Sequence, residues 1–437
     1  MTEKLKTTAL IVLLITGLYL TQKVWFQIPE IQEINVGVEE VNLLDSIITP
    51  EKYIIHFGQG DFTIIYDDSE YDILERAKDS LKYLFSSDDI KISQEDYEKY
   101  SLLKEEGFIE FILPQAMNSY ILAASLDIED LNDIVNEVHM IERIFLNLNK
   151  DGNFLLVNGE DYLLVEDKNL SFDTIRDQIK VVEMKKNYTE YELIDDIYIP
   201  KDLKISIPDL SVSNLVHSLD SDERNRFAER FFSREIDYIR EIVESNGSYI
   251  YEYDNKVLKL NSNGVIEYFH SLDDNYPESN LYISLTNAVD FLKTKVGLEK
   301  DIFLSQVERI ETDNNKGYSF YFRYRTNYIP LLVGDGYKDY IQVDVFNNQV
   351  SNFHHLANEG QIISRSSDLN RSLISPEEII RSNEDIFTDQ DIRSIDISYF
   401  DNASSRFNQT LQLVWVFEGL EGLYAFDAYN GNLVYER

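Results

Sequence analysis

The sequence contains no cysteine among its 437 residues. Disulfides, thiolate zinc sites, cysteine nucleophiles and lipid-modified cysteines are therefore excluded together. A chain without such cross-links relies on its hydrophobic cores for stability. This requirement favours domains of about a hundred residues or more over disulfide-rich mini-domains.

Positive charge is also scarce. The chain carries 40 Lys and Arg against 79 Asp and Glu, which gives a formal net charge of −39. Such a surface repels nucleic acids and anionic membrane faces, so nucleic-acid binding is excluded. The 29 Tyr and 24 Phe are too many for a disordered acidic chain, and the charge must cover folded surface.

Long hydrophobic runs are confined to the N-terminus. Residues 7–22 carry no charge, with Lys4 and Lys6 before them and Lys23 after them. This pattern predicts an uncleaved transmembrane anchor whose N-terminus is cytoplasmic, so that the chain beyond Pro29 is extracytoplasmic. The run lacks the small-residue pair of a cleavage site, and a cleaved signal peptide is the alternative. No later run approaches about 18 apolar residues, which excludes a channel or transporter.

Hydrophobic periodicity predicts an α+β ectodomain in which helices pack on antiparallel sheets. Strands are predicted near 53–57, 62–66, 108–113, 140–148, 154–157 and 162–165, and helices near 74–84 and 175–182. Residues 207–213 contain proline and serines and are predicted to be a linker. The predicted domains are the anchor at 1–29, an N-terminal α+β domain at 30–210, and helix-plus-sheet domains at 211–360 and 361–437.

The last third of the chain looks repetitive. Segments 257–266, 341–350 and 424–433 each combine a strand, a turn with asparagine and a second strand. The turn residues Asn263, Asn347 and Asn430 are 84 and 83 positions apart. We interpret the last two units as a structural duplication, because an amphipathic helix is predicted before each of them.

Two further patterns support this repeated unit. Gly297 is predicted to end the first helix, and Ser375-Pro376 to begin the second with a capping box. Asp344 and Asp427 lie three residues before their turn asparagines. We expect both carboxylates to accept backbone N–H bonds within the turns.

Residues 147–152 have the oxygen spacing that opens a calcium-binding EF-hand loop. The first ligand is Asn147 rather than Asp, and Asn158 stands where a bidentate Glu is required. Both flanks have strand-like sequences. A β-hairpin built on Asp151-Gly152 is therefore the favoured interpretation.

No motif for catalysis or cofactor binding is found. The chain has no Gly-x-Ser-x-Gly elbow, phosphate-binding P-loop or dinucleotide fingerprint. His354 and His355 are adjacent, and on a strand they would point to opposite faces, so no zinc site is predicted. In the predicted strand 318–324, aromatic side chains alternate as they do in a strand with one buried face. The alternative is that these aromatic side chains form a carbohydrate platform or a protein interface. We predict no catalytic residue, metal or cofactor, and a cell-wall enzyme is disfavoured.

Several diffuse patterns carry a resemblance to a known family. They are Leu-Thr-Gln-Lys-Val-Trp at 20–25, Phe-Phe-Ser-Arg at 231–234, Tyr-Ile-Tyr-Glu-Tyr-Asp at 249–254, the strand from Phe-Arg-Tyr at 322–324 to Ile-Pro at 329–330, and Phe-Asp-Ala-Tyr-Asn-Gly at 426–431. Together with the anchor, they resemble the YycH family of membrane-anchored regulators of the YycG (WalK) sensor histidine kinase of Gram-positive bacteria. The last pattern is also similar to YycI-like and PepSY-type domains.

The resemblance implies a non-enzymatic regulator in the cell membrane with a single span. Its ectodomain would work beside a YycI-like companion, and its transmembrane helix would contact the helices of the kinase. The expected contact residues share one broad helical face with a small residue at its centre. They are Leu10, Leu13, Leu14, Gly17, Leu18 and Thr21.

Three alternatives stay open at this point. The same residues could simply face lipid, and the chain could pair with itself as a homodimer. The function could also be that of an extracytoplasmic PepSY-like module that binds a ligand or inhibits a peptidase. An anchor swap distinguishes the functions, because only the kinase regulator depends on a particular transmembrane helix.

Overall fold

The structure is a computed structural model of the 437-residue chain. It describes residues 44–437 except 59, 67–69, 129, 186–187, 195–196, 202–206, 208, 235, 273, 298–301, 313, 327–328, 335, 364–371, 388–391, 404–408 and 420–421. Leu43–Arg437 is one compact unit. Its architecture is mixed α+β, with antiparallel sheets and several helices, as predicted.

Nine strands from the first half of the chain form an antiparallel sheet, here called the N-terminal sheet. In chain order they are β1 Lys52–Gly58, β2 Asp61–Ile65, β3 Lys91–Glu95, β4 Phe108–Asn118, β5 Met140–Asn147, β6 Asn153–Asn158, β7 Asp161–Glu166, β8 Glu190–Ile194 and β9 Ile197–Pro200. Their spatial order is β3-β7-β6-β5-β4-β1-β2-β8-β9. The strand β1 therefore lies near the middle of the sheet.

Local patterns explain the hairpins of the N-terminal sheet. The strands predicted near 53–57 and 62–66 are confirmed and pair as a hairpin, with Tyr53 opposite Ile65 and His56 opposite Phe62. The predicted hairpin at Asp151-Gly152 is also confirmed, and it joins β5 to β6. Gly152 adopts a φ of +69°, a left-handed conformation that glycine takes at little cost.

The helices of this half are α1 Ile73–Ser86, α2 Tyr97–Leu103, α3 Ser119–Ser125, α4 Ile134–Glu137 and α5 Asp173–Lys185. Both predicted helices are present as α1 and α5. Residues Ile73, Ala77, Leu81 and Leu84 of α1 are buried. Their steps of three and four residues put them on one face, which packs the helix on the core.

The predicted linker at 207–213 is wrong in its second half. Asp209–Asn214 forms β10, the central strand of a three-stranded sheet. Its partners are β20 Asn358–Ile363 and β22 Gln409–Thr410. These partners lie far along the chain, so the local sequence gave no sign of the pairing.

The large sheet contains thirteen strands from the second half of the chain. They are β11 Arg240–Val243, β12 Tyr249–Tyr253, β13 Lys256–Leu260, β14 Val265–His270, β15 Ile302–Thr312, β16 Asn315–Thr326, β17 Ile329–Val333, β18 Ile341–Phe346, β19 Gln349–Leu356, β21 Ile392–Asp401, β23 Gln412–Gly419, β24 Leu423–Asp427 and β25 Leu433–Glu436. The order is β11-β12-β13-β14-β19-β18-β16-β17-β21-β23-β24-β25, with β15 paired to β16. The pair β17–β21 is parallel, unlike its antiparallel neighbours.

The three segments with asparagine turns are hairpins, namely β13–β14, β18–β19 and β24–β25. In the last one, Asp427 Oδ1 accepts bonds from the backbone N–H groups of Tyr429 and Asn430, at 2.8 and 2.9 Å, as predicted. The prediction for Asp344 is wrong. Its carboxylate accepts bonds from side chains instead, namely from Gln342 on the same strand at 2.9 Å, from Asn352 on β19 at 3.2 Å and from Ser319 on β16.

Helices of the second half are α6 Leu215–Ser218, α7 Ser221–Phe232, α8 Leu281–Phe291, α9 Pro376–Ser382 and α10 Glu384–Phe387, with a 3₁₀ turn at Ile236–Tyr238 and a π turn at Leu292–Val296. The predicted end at Gly297 and the predicted start at Ser375-Pro376 are both found, but of the capping box the described residues show only the bond to the Ser375 side chain. Gly297 terminates the helical segment with a φ of +82°. Ser375 Oγ accepts the N–H bond of Glu378 at 3.2 Å, and Pro376 is the first residue of α9.

The aromatic strand β16 differs from its prediction of one buried face. The consecutive residues Ser319, Phe320, Tyr321 and Phe322 are all buried. Because adjacent residues on a strand point to opposite faces, both faces are covered. One face packs against α8.

In the described part of the chain, no helix is both long and apolar enough to cross a membrane. The predicted anchor at residues 1–29 lies outside that part.

Candidate functional site: a polar cleft between two sheets

A cleft of about 440 Å³ lies where the N-terminal sheet meets the large sheet. Its polar lining residues are Glu51, Tyr66, Gln115, Ser305, Gln306, Arg323, Lys338, Asp396, Ser398, Glu418 and Arg437. The cleft sits where β16 changes partners. Residues 318–322 pair with β18, whereas Arg325 and Thr326 pair with β17.

One wall of the cleft is held by a buried ion pair. The Lys52 ammonium, at the start of β1, lies 2.6 Å from each carboxylate oxygen of Asp396 on β21. The hydroxyl of Tyr66 donates to Asp396 Oδ1 at 2.9 Å. Lys52 is only 8% exposed. Removing either charge would leave the other buried without its partner, which makes the pair a strong constraint on the two strands.

A second ion pair lies beside the first. Arg323 Nε donates to Asp339 Oδ2 at 3.0 Å, and its Nη1 donates to Glu51 Oε1 at 3.4 Å. The hydroxyl of Ser305 donates to the same oxygen of Asp339 at 2.6 Å. Asp339 is buried, so its carboxylate is fixed by these donors. Arg323 thereby connects β16 to the residue that precedes β1.

Burial and the neighbouring carboxylates shift the pKa values of the basic groups in opposite directions. Burial alone would lower the pKa of Lys52, but the carboxylates of Asp396 and Glu51 outweigh it and raise that pKa. The pKa of Arg323 is raised in the same way, with Asp339 and Glu51 overcoming burial. Both side chains are therefore charged at neutral pH.

For two acidic groups of the cleft, Glu51 and Tyr66, burial raises the pKa. Burial raises the pKa of Glu51, against the opposing effect of Arg323 and Lys52. Burial and the Asp396 carboxylate raise the pKa of Tyr66 well above its usual value. Tyr66 therefore stays protonated and can donate to Asp396.

The rim of the cleft carries further charges. Lys338 forms an ion pair with Glu308, and Arg437 Nη1 donates to the carbonyl oxygen of Lys338 at 3.2 Å. Glu418 on β23 is exposed and also lines the cleft. The rim thus presents both signs of charge to solvent.

The chemistry of the cleft is that of charge recognition. Ser305 donates its proton to a carboxylate, and among the described residues that line the cleft there is no histidine to activate it. Within the described ranges, no cluster of three or more His, Asp or Glu could hold a metal ion. The paired cations and carboxylates instead suit a small charged molecule.

The two adjacent histidines have different surroundings, as expected for opposite faces of β19. His355 is buried, with Nε2 2.9 Å from the Tyr324 hydroxyl, and burial lowers its pKa to about 3. His354 stacks on Tyr337 with ring centroids 4.9 Å apart. They do not form a joint site.

The predicted contact residues Leu10, Leu13, Leu14, Gly17, Leu18 and Thr21 all lie outside the described residues. The candidate site in the described residues is the cleft, which the sequence did not predict. In a chain with 79 acidic residues, no local pattern marks Asp339 or Asp396 as special. A weak signal was Arg323, a charged residue within an aromatic strand.

Comparisons with known proteins bear on the fold. No protein-family profile matches the sequence, and a search of curated proteins finds no match. The structure is similar to the crystal structure of YycH from Bacillus subtilis, with a TM-score of 0.56 and 14% sequence identity over 87% of this chain and 96% of that one.

Two weaker structural similarities were found. An uncharacterized protein from Eubacterium rectale has a TM-score of 0.38 at 14% identity, covering 55% of this chain and 91% of its own. The YpeB C-terminal domain from Bacillus megaterium has a TM-score of 0.28 at 14% identity, covering 50% of this chain and 97% of its own. The similarity to YycH extends along most of both chains, and the fold of this chain is YycH-like.

Proposed function

We propose that this chain is a non-enzymatic, extracytoplasmic regulator of a sensor histidine kinase of the YycG (WalK) type. A single N-terminal span would anchor it in the cell membrane, and a YycI-like companion would stand beside it. The observation that supports the proposal most is the YycH-like fold, which covers 87% of this chain and 96% of the chain in the YycH crystal structure.

The N-terminal sequence supports the membrane part of the proposal. Lys4 and Lys6 precede an uncharged run that is followed by Lys23 and Trp25. Such flanks suit a helix with its N-terminus in the cytoplasm and an aromatic residue at the outer interface. The acidic ectodomain would then face outward, where its charge keeps it away from anionic lipid.

The proposed mechanism acts through the anchor. Leu13, Leu14 and Gly17 would share a face that packs against a transmembrane helix of the kinase, with Gly17 allowing close approach. A kinase with two signalling states is biased by any contact that differs between them. A difference of about 1 to 2 kcal/mol would change the populations of the two states severalfold or more.

Replacement of Gly17 tests this mechanism. Gly17→Ile keeps the segment apolar, so insertion should survive, while the added bulk pushes a partner helix away. We expect a changed output from the kinase's target genes at normal protein abundance. Val12→Leu, on the other side of the helix, is the matched control and should leave output unchanged. Equal output from the Gly17→Ile protein and the unaltered protein would refute the contact.

A second candidate function is that of an extracytoplasmic ligand-binding or peptidase-inhibitory module. The cleft of about 440 Å³ is the observation that favours it. In that case a soluble ectodomain would retain full activity without any particular anchor. Kinase regulation would instead be lost with the anchor.

A further inference from the structure

Carboxylates outnumber cations among the interacting charges in and beside the cleft. Glu51, Asp339, Asp396 and Glu418 surround Lys52 and Arg323, and these six groups interact electrostatically. Asp339 and Asp396 have strong partners in Arg323 and Lys52. Arg323 is also paired with Glu51, so four carboxylates share two cations and a surplus of negative charge remains.

Glu418 is the most available of these carboxylates. It lies on β23, lines the cleft and is exposed. No described residue donates a hydrogen bond to its carboxylate. An ammonium group entering the cleft could therefore bind Glu418 without first breaking an ion pair.

A basic pair lines the same cleft. Arg437 Nη1 donates a hydrogen bond to the carbonyl oxygen of Lys338 at 3.2 Å. Within the described residues, no acceptor is bonded to its Nε or Nη2. Lys338 has three donor protons and is paired with Glu308. The remaining donors could bind a carboxylate, which Arg recognises in a bidentate manner.

We propose that the cleft binds a small zwitterion, a free amino acid or a short peptide. Its ammonium group would lie against Glu418 and Glu51, and its carboxylate against Arg437 and Lys338. The ligand needs both a positive and a negative group. A ligand with only one sign of charge would be repelled by the lining residues of that same sign. The volume of about 440 Å³ suits an organic molecule of this size rather than a single ion.

This inference does not depend on kinase regulation. The proposed kinase contact is made by the anchor, whereas the zwitterion site is made by residues of both sheets. Loss of binding in the experiment below would leave the Gly17 test unaffected, and the reverse also holds.

Isothermal titration of the full-length chain in mild detergent tests the proposal. The probes are the twenty free amino acids and alanyl-alanine. At least one should bind, and its N-acetylated and its amidated form should each bind about tenfold more weakly or worse, because each lacks one charge. The proposal is overturned if no probe binds at concentrations up to about 10 mM, or if the blocked forms bind equally well.

Substitutions then locate the site. Glu418→Gln and Arg437→Gln should each weaken binding of the best probe about tenfold. Glu160→Gln is the matched control, since Glu160 is exposed and does not line the cleft. Retained circular dichroism and melting temperature show that a variant is folded. Unchanged affinity in both cleft variants, or an equal loss in the control, would contradict the assignment.

Discussion

The ion pair between Lys52 and Asp396 joins residues that are 344 positions apart in the chain. Arg323 makes a similar long-range connection to Glu51. These contacts link the beginning of β1 to strands of the large sheet. At the scale of single residues, buried charge pairs therefore fix how the two sheets meet, and they shape the cleft between them.

Removal of one partner of the Lys52–Asp396 ion pair should lower the stability of the fold. Asp396→Ala leaves the Lys52 ammonium buried without its carboxylate, and we expect the free energy of unfolding to fall by about 3 kcal/mol or more. Asp177→Ala is the matched control. It breaks an ion pair with Lys180 in which the side chains are 76% and 55% exposed, and it should cost less than about 0.5 kcal/mol. Urea unfolding measures both, and similar losses would contradict the structural role of the buried pair.

His355 should make stability depend on pH. Burial lowers its pKa to about 3 in the folded chain, whereas an unfolded histidine has a pKa of about 6.5. Below about pH 6.5 the unfolded chain binds a proton that the folded chain does not, so stability falls as the pH falls toward about 3. In His355→Gln, the slope of unfolding free energy between about pH 6 and about pH 4 should be smaller by about 1.4 kcal/mol per pH unit.

Urea unfolding at several pH values measures this slope. His139 is exposed, and His139→Gln is the control that should leave the slope as it is. An unchanged slope in His355→Gln would mean that this histidine is protonated within the fold.

At the scale of elements, the periodicity of the sequence predicted the hairpins and helices that depend on local contacts. The hairpins β1–β2 and β5–β6, the helix α1 and the start of α9 all follow from residues within a few positions of one another. The strand β10 was missed because its partners β20 and β22 lie far along the chain. The two buried faces of β16 were missed for the same reason.

The cleft was not predictable for a related physical reason. Most of the residues that line it belong to β4, β15, β16, β17, β21, β23 and β24 and to the segments next to β1 and β2, which the fold brings together from across the chain. Each charged residue on its own looks like surface charge. Only the pairing of Lys52 with Asp396, and of Arg323 with Asp339, distinguishes them from the other acids and bases.

The turn between β5 and β6 gives a test at this scale. A methyl group at Gly152 would lie 1.6 Å from the carbonyl oxygen of Asp167, and the backbone φ there is +69°. Gly152→Ala must displace backbone, and we expect it to cost more than about 3 kcal/mol of unfolding free energy. Gly159 has a similar φ of +59° with open space around it. Gly159→Ala should cost only about 1 kcal/mol, and equal melting temperatures for the two variants would contradict the account.

At the scale of the whole molecule, a net charge of −39 opposes compaction. Screening should relieve this repulsion, because the Debye length shrinks from about 30 Å at about 0.01 M salt to about 3 Å at about 1 M. We expect the melting temperature to rise with sodium chloride, chiefly at the low end of this range. A neutral osmolyte at equal osmolality is the control. A flat or falling melting temperature would mean that the acids are compensated locally by ion pairs.

The YycH-like fold and the predicted anchor support the proposal that this chain regulates a kinase through its membrane helix. The most direct measurement replaces residues 1–29 by an unrelated single-span anchor of the same orientation. Target-gene output of the kinase is then compared with that of cells holding the unaltered chain and of cells lacking it, at matched protein abundance. The account predicts output equal to that of cells without the protein, and full restoration of output by the swapped protein would contradict it.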